Sequence, residues 1–147
     1  MKGFVSQWIW LLAGIIVASF IILVFLSLYS NFTTLYLDDA ASRVSAKAAT
    51  YIRDACHSPL GAQMERELDI PYNTQKIYSN GSYFCLETNT STFCTNTNCY
   101  SFNMNEVSFS QEFMKKTSEL TSSYFVPYTI SIYSNYTSLD VRWRYGH

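Results

Sequence analysis

The stretch FVSQWIWLLAGIIVASFIILVFLSLY, from Phe4 to Tyr29, decides the architecture of this chain and contains no charged residue. As an α-helix these 26 residues would extend about 39 Å, whereas the hydrocarbon core of a bilayer is about 30 Å thick. A secretory signal has an apolar region of only about 7–15 residues and a small-residue cleavage site. The length therefore predicts a membrane-spanning helix. Lys2 before it and Asp38 and Asp39 after it predict a cytoplasmic N-terminus and an outer C-terminal region.

The helical pattern continues beyond the apolar run. Apolar residues recur at three- and four-residue steps at Leu37, Ala41, Val44, Ala48, Ile52 and Ala55, and charged residues mostly take the other face. This spacing predicts an amphipathic helix with a narrow, alanine-rich stripe. Pro59 is expected to stop it, so that the long helix covers residues 4–57. The weak helix formers of residues 30–34 predict either a kink or a second helix that Asn31 or Thr33 caps.

After Pro59 the period changes to that of β-structure. Residues 65–70 predict a strand that ends at Pro71, and two β-rich runs flank Asn80-Gly81, which predicts a type I′ hairpin turn. Residues 92–102 predict a second hairpin or a disulfide-closed loop, and residues 110–120 a short helix or an irregular linker.

The last two runs, 127–133 and 137–145, alternate apolar and polar residues and predict a final hairpin through Ser134-Asn135. The expected fold class is therefore α+β. The C-terminal half of the long helix is expected to pack on a small antiparallel sheet within a β-rich extracellular domain of residues 58–147.

Four cysteines, Cys56, Cys85, Cys94 and Cys99, all fall on the predicted outer side. An even number of cysteines outside the membrane predicts two disulfides with three possible connectivities. We favour Cys94–Cys99 as a small loop and Cys56–Cys85 as a link between helix and sheet. A zinc site is the alternative, and the absence of a C-x2-C pair disfavours it.

The outer side also contains four Asn-x-Ser/Thr sequons, at Asn31, Asn80, Asn89 and Asn135. Such sequons are acceptors for N-glycosylation, which we expect at the last three. Asn31 is less accessible in this interpretation because it adjoins the membrane end of the helix.

Residues suited to catalysis are scarce. The two histidines are His57 and His147, and only five glycines are present. Cys56 and His57 are adjacent, so their side chains would point in different directions on a helix. A net charge of -1 gives no basic surface for nucleic acid. The composition predicts a protein that is not an enzyme and that has no cofactor or metal.

This layout resembles the type IV pilin superfamily, in particular archaeal pilins and pilin-like proteins. The resemblance is carried by Lys2-Gly3 before Phe4, the uncharged run to Tyr29, its amphipathic continuation to Cys56 and the β-rich remainder. It implies that a prepilin peptidase cuts the Gly3–Phe4 bond, which makes residues 1–3 a leader remnant. It also implies that the helix of residues 4–29 first anchors the subunit in the cytoplasmic membrane. An assembly platform then moves it into an extracellular helical homopolymer that serves adhesion or motility.

Two sequence details bear on this resemblance. Bacterial pilins have Glu at the fifth mature residue, where a cut after Gly3 would place Trp8, and archaeal members often lack that Glu. Ala13, Gly14 and Ala18 form a small-residue patch whose spacing lets helix backbones approach each other closely. The alternative to a filament subunit is a single-span membrane protein with an outer β-domain, at a pilus base, an archaellum base or a surface layer. A membrane-tethered enzyme is the third and least favoured interpretation.

Overall fold

The computed structural model describes residues 2–99, 102–121, 123–134 and 138–146. Its fold is α+β, as the sequence predicts, and the chain divides into two compact units, residues 1–36 and 37–147. The elements in chain order are α1 (Lys2–Cys56), β1 (Gln63–Pro71), β2 (Thr74–Asn80), β3 (Tyr83–Thr88), β4 (Thr92–Asn96), β5 (Phe102–Met104), β6 (Val107–Ser108), α2 (Gln111–Thr121), β7 (Phe125–Ser134) and β8 (Leu139–Tyr145).

Helix α1 continues without a break through residues 30–34, where the sequence predicted a kink or a new cap. The hydroxyl groups of Thr33 and Thr34 donate to the carbonyls of Tyr29 and Ser30, at 2.8 and 3.0 Å. A threonine that bonds back to the preceding turn is satisfied within the helix and does not cap a new one.

The end of α1 is closed by local hydrogen bonds. Ser58 Oγ donates to the Asp54 carbonyl at 2.9 Å, and His57 Nδ1 lies 2.8 Å from the Arg53 carbonyl. These bonds satisfy carbonyls that the helix leaves without partners in its last turn. Pro59 and Gly61, which has a φ of +81°, then turn the chain into β1.

The β-strands form two four-stranded sheets. Sheet I has the order β1-β7-β8-β5, and sheet II the order β4-β3-β2-β6. Pairing is antiparallel except between β5 and β8, which run parallel. The final hairpin is confirmed as β7–β8, and residues 110–120 are confirmed as the short helix α2.

The second predicted hairpin is wrong. Strand β4 pairs with β3 in sheet II, whereas β5 pairs with β8 in sheet I. Asn98 has a φ of +55°, and its backbone N–H donates to the Asn96 side chain, so that the chain turns immediately after β4. Residues 92–102 therefore connect the two sheets instead of folding on themselves.

The turn between β2 and β3 also differs from the prediction by one residue. Asn80 pairs with Tyr83, so Gly81 and Ser82 are the two turn residues, and only Gly81, at φ +62°, has a positive φ. Glycine alone in the first central position is typical of a type II′ turn, whereas type I′ needs a positive φ at both. The hairpin itself is confirmed.

The helical part of the second unit packs through the predicted stripe. Ala41, Ala48, Ile52 and Ala55 are buried in one core with residues of both sheets, such as Phe84 and Ile130, and Leu37 is also buried. Small side chains let the helix approach the strands closely: Ser45 Oγ lies 3.0 Å from Thr95 Oγ1 and 3.3 Å from the Phe93 carbonyl. The Thr90 hydroxyl group donates one bifurcated hydrogen bond to the Asp38 carboxylate, with Thr90 Oγ1 at 2.8 and 2.9 Å from the two carboxylate oxygens.

All four cysteines form disulfides, but the preferred pairing is wrong. The bonds are Cys56–Cys99 and Cys85–Cys94. Cys85 and Cys94 are directly opposite each other on β3 and β4, with Cα atoms 4.1 Å apart. Opposed residues of an antiparallel pair lie within disulfide range. This cross-strand contact leaves Cys99 for Cys56, at a Cα separation of 6.1 Å.

Candidate functional site

The first candidate site is the apolar helix surface, which we define as the side chains of α1 from Trp8 to Tyr36. Every described side chain from residue 8 to residue 32 is exposed, and the large apolar ones are exposed by 44% at Val24 to 76% at Trp10. Consecutive exposed residues cover the whole circumference of a helix that has 3.6 residues per turn. A helix that is apolar on all sides requires an apolar environment.

Three hydroxyl groups within this surface form hydrogen bonds inside the helix. Ser19 Oγ donates to the Ile15 carbonyl at 2.8 Å, in the same way as the two threonines of residues 33 and 34. Such bonds lower the free-energy cost of placing a hydroxyl group in lipid or in a packed apolar bundle. The surface is therefore chemically suited to a water-free environment.

The surface extends beyond the predicted apolar run. Phe32, Leu35 and Tyr36 are 71%, 70% and 47% exposed, although the sequence analysis ended the run at Tyr29. In the sequence, the three- and four-residue spacing of these residues was the pattern from which this extension could have been predicted. The helix is long and apolar enough to cross a membrane. From Trp8 to Tyr36 it measures about 43 Å, which exceeds a hydrocarbon core of about 30 Å.

The predicted packing residues lie on this surface. Ala13, Gly14 and Ala18 are exposed, and a Cβ atom placed on Gly14 would meet no other atom within 4 Å. The patch is thus open to a neighbouring molecule. Gly3 and Phe4, the predicted cleavage site, lie in the first turn of α1.

Three of the four sequon asparagines lie in the described part of the chain, and all three are exposed. Asn31 is within α1, Asn80 is the last residue of β2, and Asn89 lies in the turn between β3 and β4. Asn89 Oδ1 accepts a bond from Gln75 Nε2 at 3.0 Å, and this bond leaves the amide nitrogen of the asparagine accessible. Asn135 lies outside the described residues.

Titratable groups in the described part of the chain form no cluster of three or more histidine, cysteine or acidic residues able to hold a metal ion. Cys56 is in a disulfide, and His57 bonds a helix carbonyl, so the two do not form a nucleophile pair.

Burial, with a smaller contribution from neighbouring Tyr145, raises the pKa of Tyr128. Tyr128 packs in the core, where its hydroxyl group lies 3.8 Å from Met114 Sδ.

A second candidate site is a groove on the outer face of sheet I, with a volume of about 350 Å³. Residues of β1, β7 and β8 line it, among them Glu65, Tyr133, Arg142 and Arg144. The sequence predicted one polar face for the final hairpin, formed by β7 and β8, but not that β1 adds Glu65 to this face. No protein-family model, curated protein or solved structure matches the chain. The two sites are therefore interpreted from their own geometry.

Proposed function

We propose that this protein is a structural subunit of an extracellular, type IV pilus-like filament, which assembles through its N-terminal apolar helix. The observation that carries the proposal is the apolar helix surface, exposed on all sides from Trp8 to Phe32. Identical copies of such a helix in a bundle would supply apolar neighbours around its whole circumference. Relative to exposure to water, each buried CH₂ group would stabilise the assembly by about 0.8 kcal/mol.

The length of the surface favours a filament over a simple anchor. About 20 apolar residues suffice to span a bilayer, and this surface continues to Tyr36. Lipid covers only part of an upright helix of this length, whereas copies staggered along a filament axis would cover all of it. Gly14 supports the same proposal, because its open surroundings allow a neighbouring backbone to approach.

The second unit has features of a domain that lies outside the cytoplasm. Its four cysteines are all oxidised in two disulfides, and disulfides persist in oxidising compartments. In the proposed assembly this domain coats the apolar core. The membrane holds the subunit before assembly, and a prepilin peptidase acting at Gly3–Phe4 and an assembly platform would process and extract it.

The alternative is a single-span membrane protein with an outer β-domain, located at a pilus base, an archaellum base or a surface layer. A helix able to cross a membrane favours it. Differential sedimentation of material from the native cell separates the two proposals. Filament subunits pellet as polymers without detergent, whereas an anchored domain stays with the membrane fraction.

Gly14→Leu tests the proposed helix packing. A Cβ atom at this exposed position meets no other atom within 4 Å, so the variant should be produced and folded like the parent. In a filament it would force neighbouring backbones apart, and we expect filament yield in the shear fraction to fall at least about tenfold, since overpacking costs about 1–3 kcal/mol per contact.

Ile15→Leu is the matched control, because it conserves side-chain volume on the same helix turn. We expect it to assemble like the parent. Normal filament yield from Gly14→Leu, at equal subunit levels in the membrane, would contradict close packing at this site.

A further inference from the structure

The polar groove crosses the outer face of sheet I. We define it by the polar side chains that line it, which are those of Gln63, Glu65, Ser131, Tyr133, Asp140, Arg142 and Arg144. A second cavity of about 100 Å³ shares Asp140 and Arg142 with it and continues toward Asn103 and Asn105. The combined depression therefore runs across the strands from β1 to β5. Its main volume lies within the range of about 300–1,000 Å³ that is usual for small-ligand sites.

Strand register places Glu65 on one side of the groove, and Arg142 and Arg144, together with Asp140, on the other side. Glu65 on β1 pairs with Ser131 on β7, which in turn pairs with Arg142 on β8. Strands are about 4.8 Å apart, so the Cα atoms of the glutamate and arginine columns are about 10 Å apart, and Glu65 forms no ion pair with Arg142 or Arg144. Arg142 and Arg144 are exposed, and neither forms an ion pair with any residue that the structure describes.

Glu65 is held in position by its neighbours. Ser131 Oγ and Gln63 Nε2 both donate to Glu65 Oε1, at 3.2 and 3.3 Å. These bonds orient the carboxylate and leave Oε2 to accept a bond from a ligand. The β1 side of the groove thus presents an oriented hydrogen-bond acceptor. The opposite side has two guanidinium groups, each of which can bind a carboxylate with two hydrogen bonds.

Hydroxyl groups and an aromatic ring also line the groove, in addition to its charged side chains. Ser131 lies between the charged columns, and the ring of Tyr133 is 46% exposed. Ile132 and Trp143 also line the groove, although they alternate with its polar side chains along their strands and Trp143 packs on Phe84 in the core. A ligand that combines a carboxylate with several hydroxyl groups would satisfy both the two arginines and the carboxylates of Glu65 and Asp140, whereas a fully ionised phosphate has no hydroxyl group to donate to these carboxylates.

We propose that the polar groove binds an acidic saccharide. The carboxylate of a uronic acid would pair with Arg142 and Arg144, its ring hydroxyls would donate to Glu65 Oε2 and Asp140, and the ring would stack on Tyr133. Saccharide binding goes beyond the proposed structural role, because the groove uses no residue of the apolar helix surface. A filament of such subunits would present one saccharide site per copy.

The test is calorimetric titration of the full chain in detergent micelles with a trimer of galacturonic acid, compared with a neutral trimer of galactose. We expect saturable binding of the acidic trimer only. Arg142→Gln with Arg144→Gln should lower its affinity at least about tenfold, because two charge-assisted hydrogen-bonding groups are lost. Tyr133→Ala should lower it about tenfold through the loss of the stacking platform.

The matched control is Arg43→Gln with Arg53→Gln, which removes the same two positive charges from exposed positions of α1. Its affinity should stay within about twofold of the parent, since exposed charges at a distance are screened. Equal weakening in the control, equal binding of the neutral trimer, or no saturable heat would each overturn the proposal. Because micelles contain no filament, these outcomes do not depend on whether the chain polymerises.

Discussion

Asp38 and Asp39 are adjacent in the sequence but form different contacts in the structure. In the sequence both follow the apolar run and together predict an outer C-terminal region. Asp39 does lie on the surface, where it forms an ion pair of 2.9 Å with Arg43 one helical turn away. Asp38 instead accepts bonds from the hydroxyl groups of Thr88 and Thr90 in the β3–β4 region, and so connects α1 to sheet II.

We predict that Asp38→Ala lowers the free energy of unfolding by about 1–2 kcal/mol, because charge-assisted hydrogen bonds that tie distant parts of the chain are lost. Asp39→Ala is the neighbouring control and should cost less than about 0.5 kcal/mol, since exposed pairs four residues apart contribute little. Chemical denaturation followed by circular dichroism measures both. Equal losses for the two variants would contradict the assigned role of Asp38.

At the scale of elements, the two disulfides link different parts of the fold. Cys85–Cys94 joins adjacent strands over a sequence separation of 9 residues, whereas Cys56–Cys99 joins the end of α1 to the loop after β4 over 43 residues. Closing a longer loop removes more conformational entropy from the unfolded chain. Cys56–Cys99 is thus the covalent connection between the helix and the sheets.

We predict that Cys56→Ala with Cys99→Ala destabilises the second unit by about 4 kcal/mol, and that Cys85→Ala with Cys94→Ala does so by about 3 kcal/mol. Denaturant titration gives both values. Peptide mapping without reduction gives the connectivity independently, and a peptide that contains a Cys94–Cys99 bond would contradict the pairing described above.

At the scale of the whole molecule, the two compact units have different requirements. The unit of residues 37–147 has its own core, with Ile52, Phe84 and Ile130 fully buried. The unit of residues 1–36 presents apolar side chains on all sides from Trp8 to Phe32. Solubility in water therefore depends on which unit is present.

We predict that a fragment of residues 37–147, produced under oxidising conditions, is monomeric in water and unfolds cooperatively, because its core is complete without residues 1–36. The full chain should need detergent or self-assembly to stay in solution. Size-exclusion chromatography and thermal denaturation are the measurements. Aggregation of the fragment, or the absence of a cooperative transition, would show that its core needs the first unit.

Local patterns were sufficient to predict the elements. A long run without charges, an apolar period of three to four residues and a later period of two each reflect the geometry of a single helix or strand. They yielded the long helix, its buried alanine-rich stripe, the first hairpin, the short helix α2 and the final hairpin. The apolar helix surface was recognisable for the same reason, because its chemistry lies in consecutive residues.

The tertiary structure alone decided what depends on residues far apart in sequence. Cys85 and Cys94 became partners because β3 and β4 lie side by side, and that pairing left Cys99 to Cys56. Strand β5 belongs to sheet I, whereas its sequence neighbours β4 and β6 belong to sheet II. The polar groove required three strands in a definite register, since Glu65 and Arg142 are separated by most of the domain's sequence. Sequence periodicity specifies which face of a strand is polar, but only strand order and register determine which polar faces meet.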